Sequence, residues 1–288
     1  MSTTPIDAGE FRSRQRQDWN TASQGWREWN ELIDSSTAPI SKRLVELAGI
    51  KAGDRVLDVA AGYGEPSLTA AKVVGPEGSV VATDISPGML SFGRERAAAA
   101  GVEHIEFVET DASSLDFPSG SFDAALSRWG IIFEPEGEAT AGRVRGFLEP
   151  GAKMAISSWA PPDRVPMISV PMMTVLQKLN VDPPPPGTPG PLSRPTPEAI
   201  GGLLEGGGFH DVQVEEREIE FEWESPEHFT KYTQAIVAPI TALVSKHPPE
   251  VQEATWQAVT DAARAHAGDN GTVRLKNLVL LAGRGSSA

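Results

Sequence analysis

The chain has 288 residues, 40% of them apolar, and 39 acidic against 25 basic side chains give a formal net charge of −14. That length admits one large domain or one domain with a cap, and that charge disfavours a phosphate backbone as partner, so no nucleic acid is expected. The chain has no cysteine, which excludes disulfides and thiolate sites, and its 5 histidines lack ligand spacing, so no metal is expected either.

No apolar run is long enough for a membrane span, and the N-terminus lacks the apolar core of a secretion signal, which predicts a cytoplasmic protein. Residues 1–15, with Arg12, Arg14 and Arg16, read as a loosely held tail. Trp19, Ala22, Trp26, Trp29 and Ile33 then recur at the spacing of one helix face, with Pro39 expected to end or redirect that helix. A second helix is predicted over 40–50.

An alternation follows. Strands are predicted at 55–60, 79–84, 104–110, 122–127 and 153–159, and helices near 65–74, 86–100 and 136–148, with a shorter piece after Asp111. Strands spaced by helices imply βαβ units and a parallel sheet covered on both faces. Beyond Trp159 comes a proline-rich stretch, 160–197, with one helix suggested by MISVPMMTVLQKL and a PPPP run expected to be a stiff loop. A helix capped by Thr196 and an alternating strand at 211–223 come next, the acidic residues of that strand reading as a solvated face. Two helices, about 226–245 and 249–267, lead to a last strand at 272–283, with Pro239 expected to kink the first of them.

The segment RVLDVAAGYGEPSLTA carries the chemistry. A glycine-rich turn after a first strand invites a dinucleotide reading, but Ser67 stands where that fingerprint has its third glycine. Asp58 lies inside the turn motif, Asp84 ends the second strand and Asp111 follows the third. Three acids at successive strand ends would repel a pyrophosphate and suit a ligand with a ribose, an amino-substituted base and a cationic tail. Strand-end aspartates also serve as turn formers and caps, which is the plainer reading of each one alone.

The text IKAGDRVLDVAAGYGEPSLTAA, VVATDISPGML, VETDASSLDFPSGSFDAALSRWGIIF and RVRGFLEPGAKMAISSW resembles the class I S-adenosylmethionine-dependent methyltransferases, in the branch of ubiquinone and menaquinone biosynthesis enzymes and their small-molecule relatives. The resemblance implies a Rossmann-like, mostly parallel seven-stranded sheet with helices on both faces and a helical cap over the strand C-terminal ends. It implies that Asp58, with the backbone of Ala60, Gly62 and Gly64, holds the methionine end of S-adenosyl-L-methionine. Tyr63 would lie close by. Asp84 would accept both ribose hydroxyls, with Ile85 and Met89 beside the adenine, and Asp111 would take the adenine amino group, with Ala112 lending its backbone. Ser127 and Arg128 would face the methionine tail and the acceptor. Ala60 replaces the commoner glycine, and the quinone-pathway signature is not recognisable in WNTASQGWREWNELI.

The expected organisation is an N-terminal tail and lid helix (1–39), a cofactor-binding core (40–160), a proline-rich cap insertion (161–197), a core helix and strand (198–224), a helical cap insertion (225–270) and a final strand with tail (271–288). Trp26, Trp29, Trp129, Phe133, Phe229, Tyr232 and Ile236 are the expected acceptor wall, though the tryptophan face also reads as a helix docked on a core. Aromatics near a sulfonium, such as Tyr63 and Trp129, would each contribute about 0.5–2 kcal/mol by cation–π attraction. No base stands out; His228 and His247 are the candidates. The function expected is methyl transfer to oxygen or carbon of a small apolar or aromatic molecule, by a monomer or a homodimer. The alternatives are a cyclisation or decarboxylation on the same fold, or a non-catalytic cofactor-binding protein.

Overall fold

The computed structural model describes residues 8–185 and 187–285. Its strands are β1 (Arg55–Val59), β2 (Ser79–Asp84), β3 (Ile105–Glu109), β4 (Phe122–Arg128), β5 (Leu148–Trp159), β6 (Gln213–Trp223) and β7 (Val273–Gly285). They form one 7-stranded sheet in the order β3-β2-β1-β4-β5-β7-β6. Strands β1 to β5 run parallel, and β7 is antiparallel to both neighbours. Val56, Leu57, Ala124, Ala125 and Leu126 are fully buried. Helices cover both faces, which is why these strands read as unbroken apolar runs.

The connecting helices are α3 (Ser67–Val74), α4 (Pro87–Ala99), α5 (Gly137–Phe147) and α7 (Pro197–Gly206). The cap contributes α6 (Pro166–Leu179), α8 (Pro226–Ile236), α9 (Ala238–Val244) and α10 (Pro249–Arg264). Helices α4, α7 and α8 start alike. Ser86, Thr196 and Ser225 each accept a backbone N–H through the side-chain hydroxyl, and a proline follows at the first helical position. The hydroxyl satisfies an orphan donor, and proline supplies the helical φ where no N–H is needed.

The N-terminal third differs from expectation. Residues 1–7 lie outside the described residues, but 8–15 are not a loose tail: α1 runs from Ala8 to Glu28. Helix α2 (Asn30–Leu47) then contains Pro39 within it, and the interruption falls at Trp29, whose φ is −99° and ψ 11°. Burial of Ile33, Thr37, Ile40, Ser41, Leu44 and Val45 on one face holds α2 together across the hydrogen bond the proline lacks.

In the cap, the segment expected as two helices forms three. The chain breaks at Val237 (φ −99°, ψ 72°) because Pro239 cannot continue the hydrogen-bond ladder and opens α9 instead. Strands β6 and β7 pair from Gln213–Gly283 to Trp223–Val273, whereas β5 reaches only Val279, opposite Trp159. The far end of that ribbon therefore stands beyond the rest of the sheet, and its Phe221, Trp223, Val273 and Leu275 are buried. Helices α6, α8 and α10 pack together around it. No helix among the described residues is long and apolar enough to cross a membrane.

Candidate active site

The strand order reverses between β1 and β4, and open sheets of this kind bind ligands beyond the carboxyl ends at such a switch point. The chain turns there through Ala60 (φ 56°), Gly62 (φ 55°) and Gly64 (φ 98°). Only Ala60 carries a Cβ against this geometry, a strain of about 1–2 kcal/mol. Ala60→Gly is expected to leave stability unchanged or raise it by up to about 1 kcal/mol, after the extra chain entropy of glycine. Urea unfolding of the two proteins measures the difference.

Asp84 is buried; its Oδ2 accepts from the Gly62 N–H at 2.9 Å and its Oδ1 from the Ser86 N–H at 2.8 Å. One carboxylate thus fixes the glycine turn to the start of α4. Asp58 is fully buried, and its Oδ2 accepts from the Ser67 hydroxyl at 2.5 Å. Asp111 Oδ1 accepts from the Ser113 N–H at 2.8 Å and from the Ser113 hydroxyl. Asp58 Oδ1 and Asp111 Oδ2 are buried without a hydrogen-bond partner.

Burial pushes the Asp58 carboxyl up to about 7, against the Ser67 hydrogen bond and the charge of Arg128. It pushes Asp84 up to about 6, against the backbone N–H groups that face it. Both acids hold a proton more tightly folded than unfolded. Their stabilisation is therefore complete in acid and is lost as pH rises through the folded values. The unfolding free energy of the parent relative to Asp58→Asn is expected to fall between pH 5 and 8. Denaturant titrations at three pH values in that window check the sign, and a flat difference would show an ordinary Asp58.

Glu134, which no sequence pattern marks, joins this group. Burial and the neighbouring charge of Asp111 push its carboxyl up to about 7, while Arg12 pulls it down. Arg12 belongs to α1: its Nε lies 4.0 Å from Asp111 Oδ2 and it donates to the Ser113 hydroxyl at 3.3 Å. Arg16 pairs with Glu109, Arg27 donates to Glu95 at 2.8 Å, and the Gly88 N–H donates to Asn20 Oδ1 at 3.0 Å. Helix α1 thus lies across the ends of β2 and β3 as a lid. At its C-terminal end Gly25 meets α8 so closely that a Cβ there would stand 2.1 Å from the Ala235 carbonyl oxygen.

Several expected site residues are placed otherwise. Tyr63 is buried, its hydroxyl donating to Asp34 at 2.8 Å and accepting from Arg128 at 3.1 Å. Its ring lies among Trp26, Phe92 and the Arg96 guanidinium, 4.7 Å from the ring centre. The turn is thereby pinned to α2, and the ring already has a cation. Ser127 is spent on the backbone, donating to Val59 O at 2.8 Å and accepting from Ile131 N at 2.9 Å. Met89 is buried, Ile85 and Ala112 are half-buried, and Ala112 opens a single 3-10 turn.

Of the expected acceptor wall, Phe229 and Tyr232 fall in the cap's own core. Phe229 is fully buried edge-on to Trp223 at 4.8 Å, and Tyr232 is buried against Trp29 and Trp223. The projecting β6–β7 ribbon needs an apolar cover, and the inner face of α8 supplies it. Trp26, Trp129, Phe133 and Ile236 remain half-buried, with Trp129 stacked on Trp159 at 4.5 Å and Phe133 edge-on to Trp19 at 5.2 Å. His228 rests its ring on Trp29 and accepts the Glu224 N–H at Nδ1, while His247 sits between α9 and α10. Among the described residues no group of three His, Asp or Glu could hold a metal.

A mostly parallel sheet of order β3-β2-β1-β4-β5-β7-β6, with acids at three strand ends beneath a helix, is the arrangement expected of the class I methyltransferases. Residues 56–151 match the methyltransferase domain family. The domain is 38% identical over 143 residues to an uncharacterised protein of Mycobacterium tuberculosis, covering 49% of this chain and 51% of that one. It is 35% identical over 135 residues to the ubiquinone/menaquinone biosynthesis C-methyltransferase UbiE of Pseudomonas putida, covering 46% and 53%. The chain thus spans about half the length of the curated relatives it matches. The YcgJ protein of Bacillus subtilis shares the fold, with a TM-score of 0.54 at 16% identity over 87% of this chain and 99% of that one. The cofactor of this class is S-adenosyl-L-methionine, and the donor set fits it. The Asp58 and Asp111 oxygens that accept no hydrogen bond suit an ammonium and an adenine amino group, and Asp84 between them suits a diol.

Proposed function

We propose that the chain transfers the methyl group of S-adenosyl-L-methionine to an oxygen or carbon of a small apolar or aromatic molecule. What supports the reading is the pair of buried carboxylate oxygens on Asp58 and Asp111 that accept no hydrogen bond, flanking Asp84 at successive strand ends. The sulfonium supplies an already activated methyl group. Asp58, Asp84 and Asp111 hold the two ends and the ribose of the cofactor, and the lid excludes a competing water. Alignment of nucleophile and methyl by such a site lowers a barrier by roughly 7–11 kcal/mol. The half-buried Trp26, Trp129, Phe133 and Ile236 favour an apolar or aromatic acceptor between lid and cap. The net charge of −14 favours a small molecule over nucleic acid, and the reading places the reaction in the cytoplasm.

Incubation with isotopically methyl-labelled cofactor and a metabolite extract tests this. Label in a product, with one S-adenosylhomocysteine released per turnover, is the expected result. A changed metabolite without S-adenosylhomocysteine would favour a cyclisation or decarboxylation instead. Failure to bind the cofactor at all would remove the reading.

A further inference from the structure

Asp111 and Glu134 follow different strands, β3 and β4, which β2 and β1 separate in the sheet. The 3-10 turns beside them, Ala112–Ser114 and Ile131–Phe133, both pack on α5, and Arg143 of that helix donates to the Leu115 carbonyl at 3.3 Å. Two acids from the flanks of the crevice are thereby brought together under α1. On that helix Arg12 and Trp19 stand seven residues apart, about two turns, and so share a face. Trp19 meets Phe133 edge-on, while the Arg12 charge faces the carboxylates of both Asp111 and Glu134.

One guanidinium serves two acids here, and it completes neither. Arg12 Nε stands 4.0 Å from Asp111 Oδ2, beyond hydrogen-bond reach, and the hydrogen bond it makes, at 3.3 Å, goes to the Ser113 hydroxyl. Asp111 Oδ2 is buried and accepts no hydrogen bond, and among the described residues nothing donates to the Glu134 carboxyl. Burial and the Asp111 charge push that carboxyl up to about 7 against the pull of Arg12. Arginine carries its donors in a planar fork that closes on a carboxylate with two of them at once. The lid thus reaches the site without making the strongest contact open to it.

We propose that Glu134 is a positioning residue for cofactor binding: when the adenine amino group engages Asp111, Glu134 takes the guanidinium of Arg12 and fastens α1 over the bound ligand. The proposal rests on the methyl-transfer reading. The amino group fills the Asp111 oxygen that otherwise accepts nothing, and the purine excludes water from around the two acids. A carboxylate and a guanidinium left dry and apart would each be costly, so they pair. Glu134 gives its proton to solvent as they do so. The bound protein then holds one proton fewer than the free protein, and affinity rises as pH is raised through the value of the free carboxyl. The charged groups facing Glu134 are Asp111, from the turn after β3, and Arg12, from α1. Asp58 and Asp84 titrate in the same range, but a substitution at Glu134 leaves both in place.

The full chain, its Glu134→Gln and Arg12→Gln variants and the double variant are titrated calorimetrically with S-adenosylhomocysteine between pH 6 and 8. Parental affinity is expected to gain about fivefold to tenfold more across this range than that of Glu134→Gln, with Asp58 and Asp84 contributing equally to both. At the upper end each single variant binds at least about fivefold more weakly than the parent, and the double variant no more weakly than the weaker single, because the two side chains act as one pair. Trypsin, which cuts after arginine, reports on the lid. At equal saturation the ligand is expected to slow cleavage after Arg12, Arg14 and Arg16 at least about fivefold more in the parent than in Glu134→Gln. Parallel pH profiles of parent and Glu134→Gln overturn the proposal, as do additive losses in the double variant or equal protection from trypsin. A lowered melting temperature of Glu134→Gln with an unchanged pH profile would make the residue structural. Absence of all cofactor binding is a separate result, and it would remove the methyl-transfer reading and this proposal with it.

Discussion

Asp84→Ala is expected to weaken binding of S-adenosylhomocysteine at least about tenfold. The carboxylate proposed to hold the ribose also accepts from Gly62 N and Ser86 N, so its loss would remove the ligand's partner and release the turn that shapes the crevice. A hydrogen bond to a charged group is worth about 1.5–3 kcal/mol, and two buried N–H groups left without an acceptor add to the damage. Titration calorimetry reads the affinity, with circular dichroism confirming that the variant is folded at the working temperature. Unchanged affinity, or tighter binding of NAD by the parent, would sink the assignment of this crevice.

The second large effect is on stability. Phe229→Ala is expected to cost about 3–5 kcal/mol, because a fully buried ring against Trp223 leaves a cavity that the ribbon behind it cannot fill. Ile236, half-buried at the end of α8, is the residue with which to probe the acceptor from this helix. Ile236→Ala is expected to alter acceptor binding while cofactor affinity stays within about 1 kcal/mol of the parent. Urea unfolding of both variants separates the roles. A Phe229→Ala protein of nearly parental stability with altered acceptor choice would put the pocket wall back on Phe229.

The alternation of strands and helices from Arg55 to Trp159 was legible because a strand buried on both faces must be apolar throughout, and the turns between carry glycine and proline. The positions of the three acids were legible for a related reason: a charged residue at the close of an apolar run falls at the carboxyl end of its strand, as Asp58, Asp84 and Asp111 do. What stayed hidden depended on partners far along the chain. The first turns of α1 look like a solvated tail until Arg12 and Arg16 find Asp111 and Glu109. Pro39 reads as a helix end until burial of Ile40 and Leu44 outweighs one missing hydrogen bond. Periodicity showed that α8 has an apolar face but not what that face meets, so Phe229 and Tyr232 were expected to line a pocket and instead cover Trp223. Glu134 is a single acid after a 3-10 turn, with no spacing to mark it.

The contact of Gly25 with Ala235, and the place of β7 between β5 and β6, bear on how the chain is made. A ribosome delivers α1 first, yet its dock on α8 appears some 210 residues later (235 minus 25). Strand β6 cannot join the sheet until β7, the later of the two, comes between it and β5. During synthesis, then, the five parallel strands can assemble with α1 already held by Asp111, Gly88 and Glu95, while its contact with α8 waits for the cap. Contacts this distant in sequence form late and slowly. The crevice can therefore take shape beneath α1 before the cap exists, and it is Trp29, whose partners are His228 and Tyr232, that stays uncovered until the chain is nearly complete.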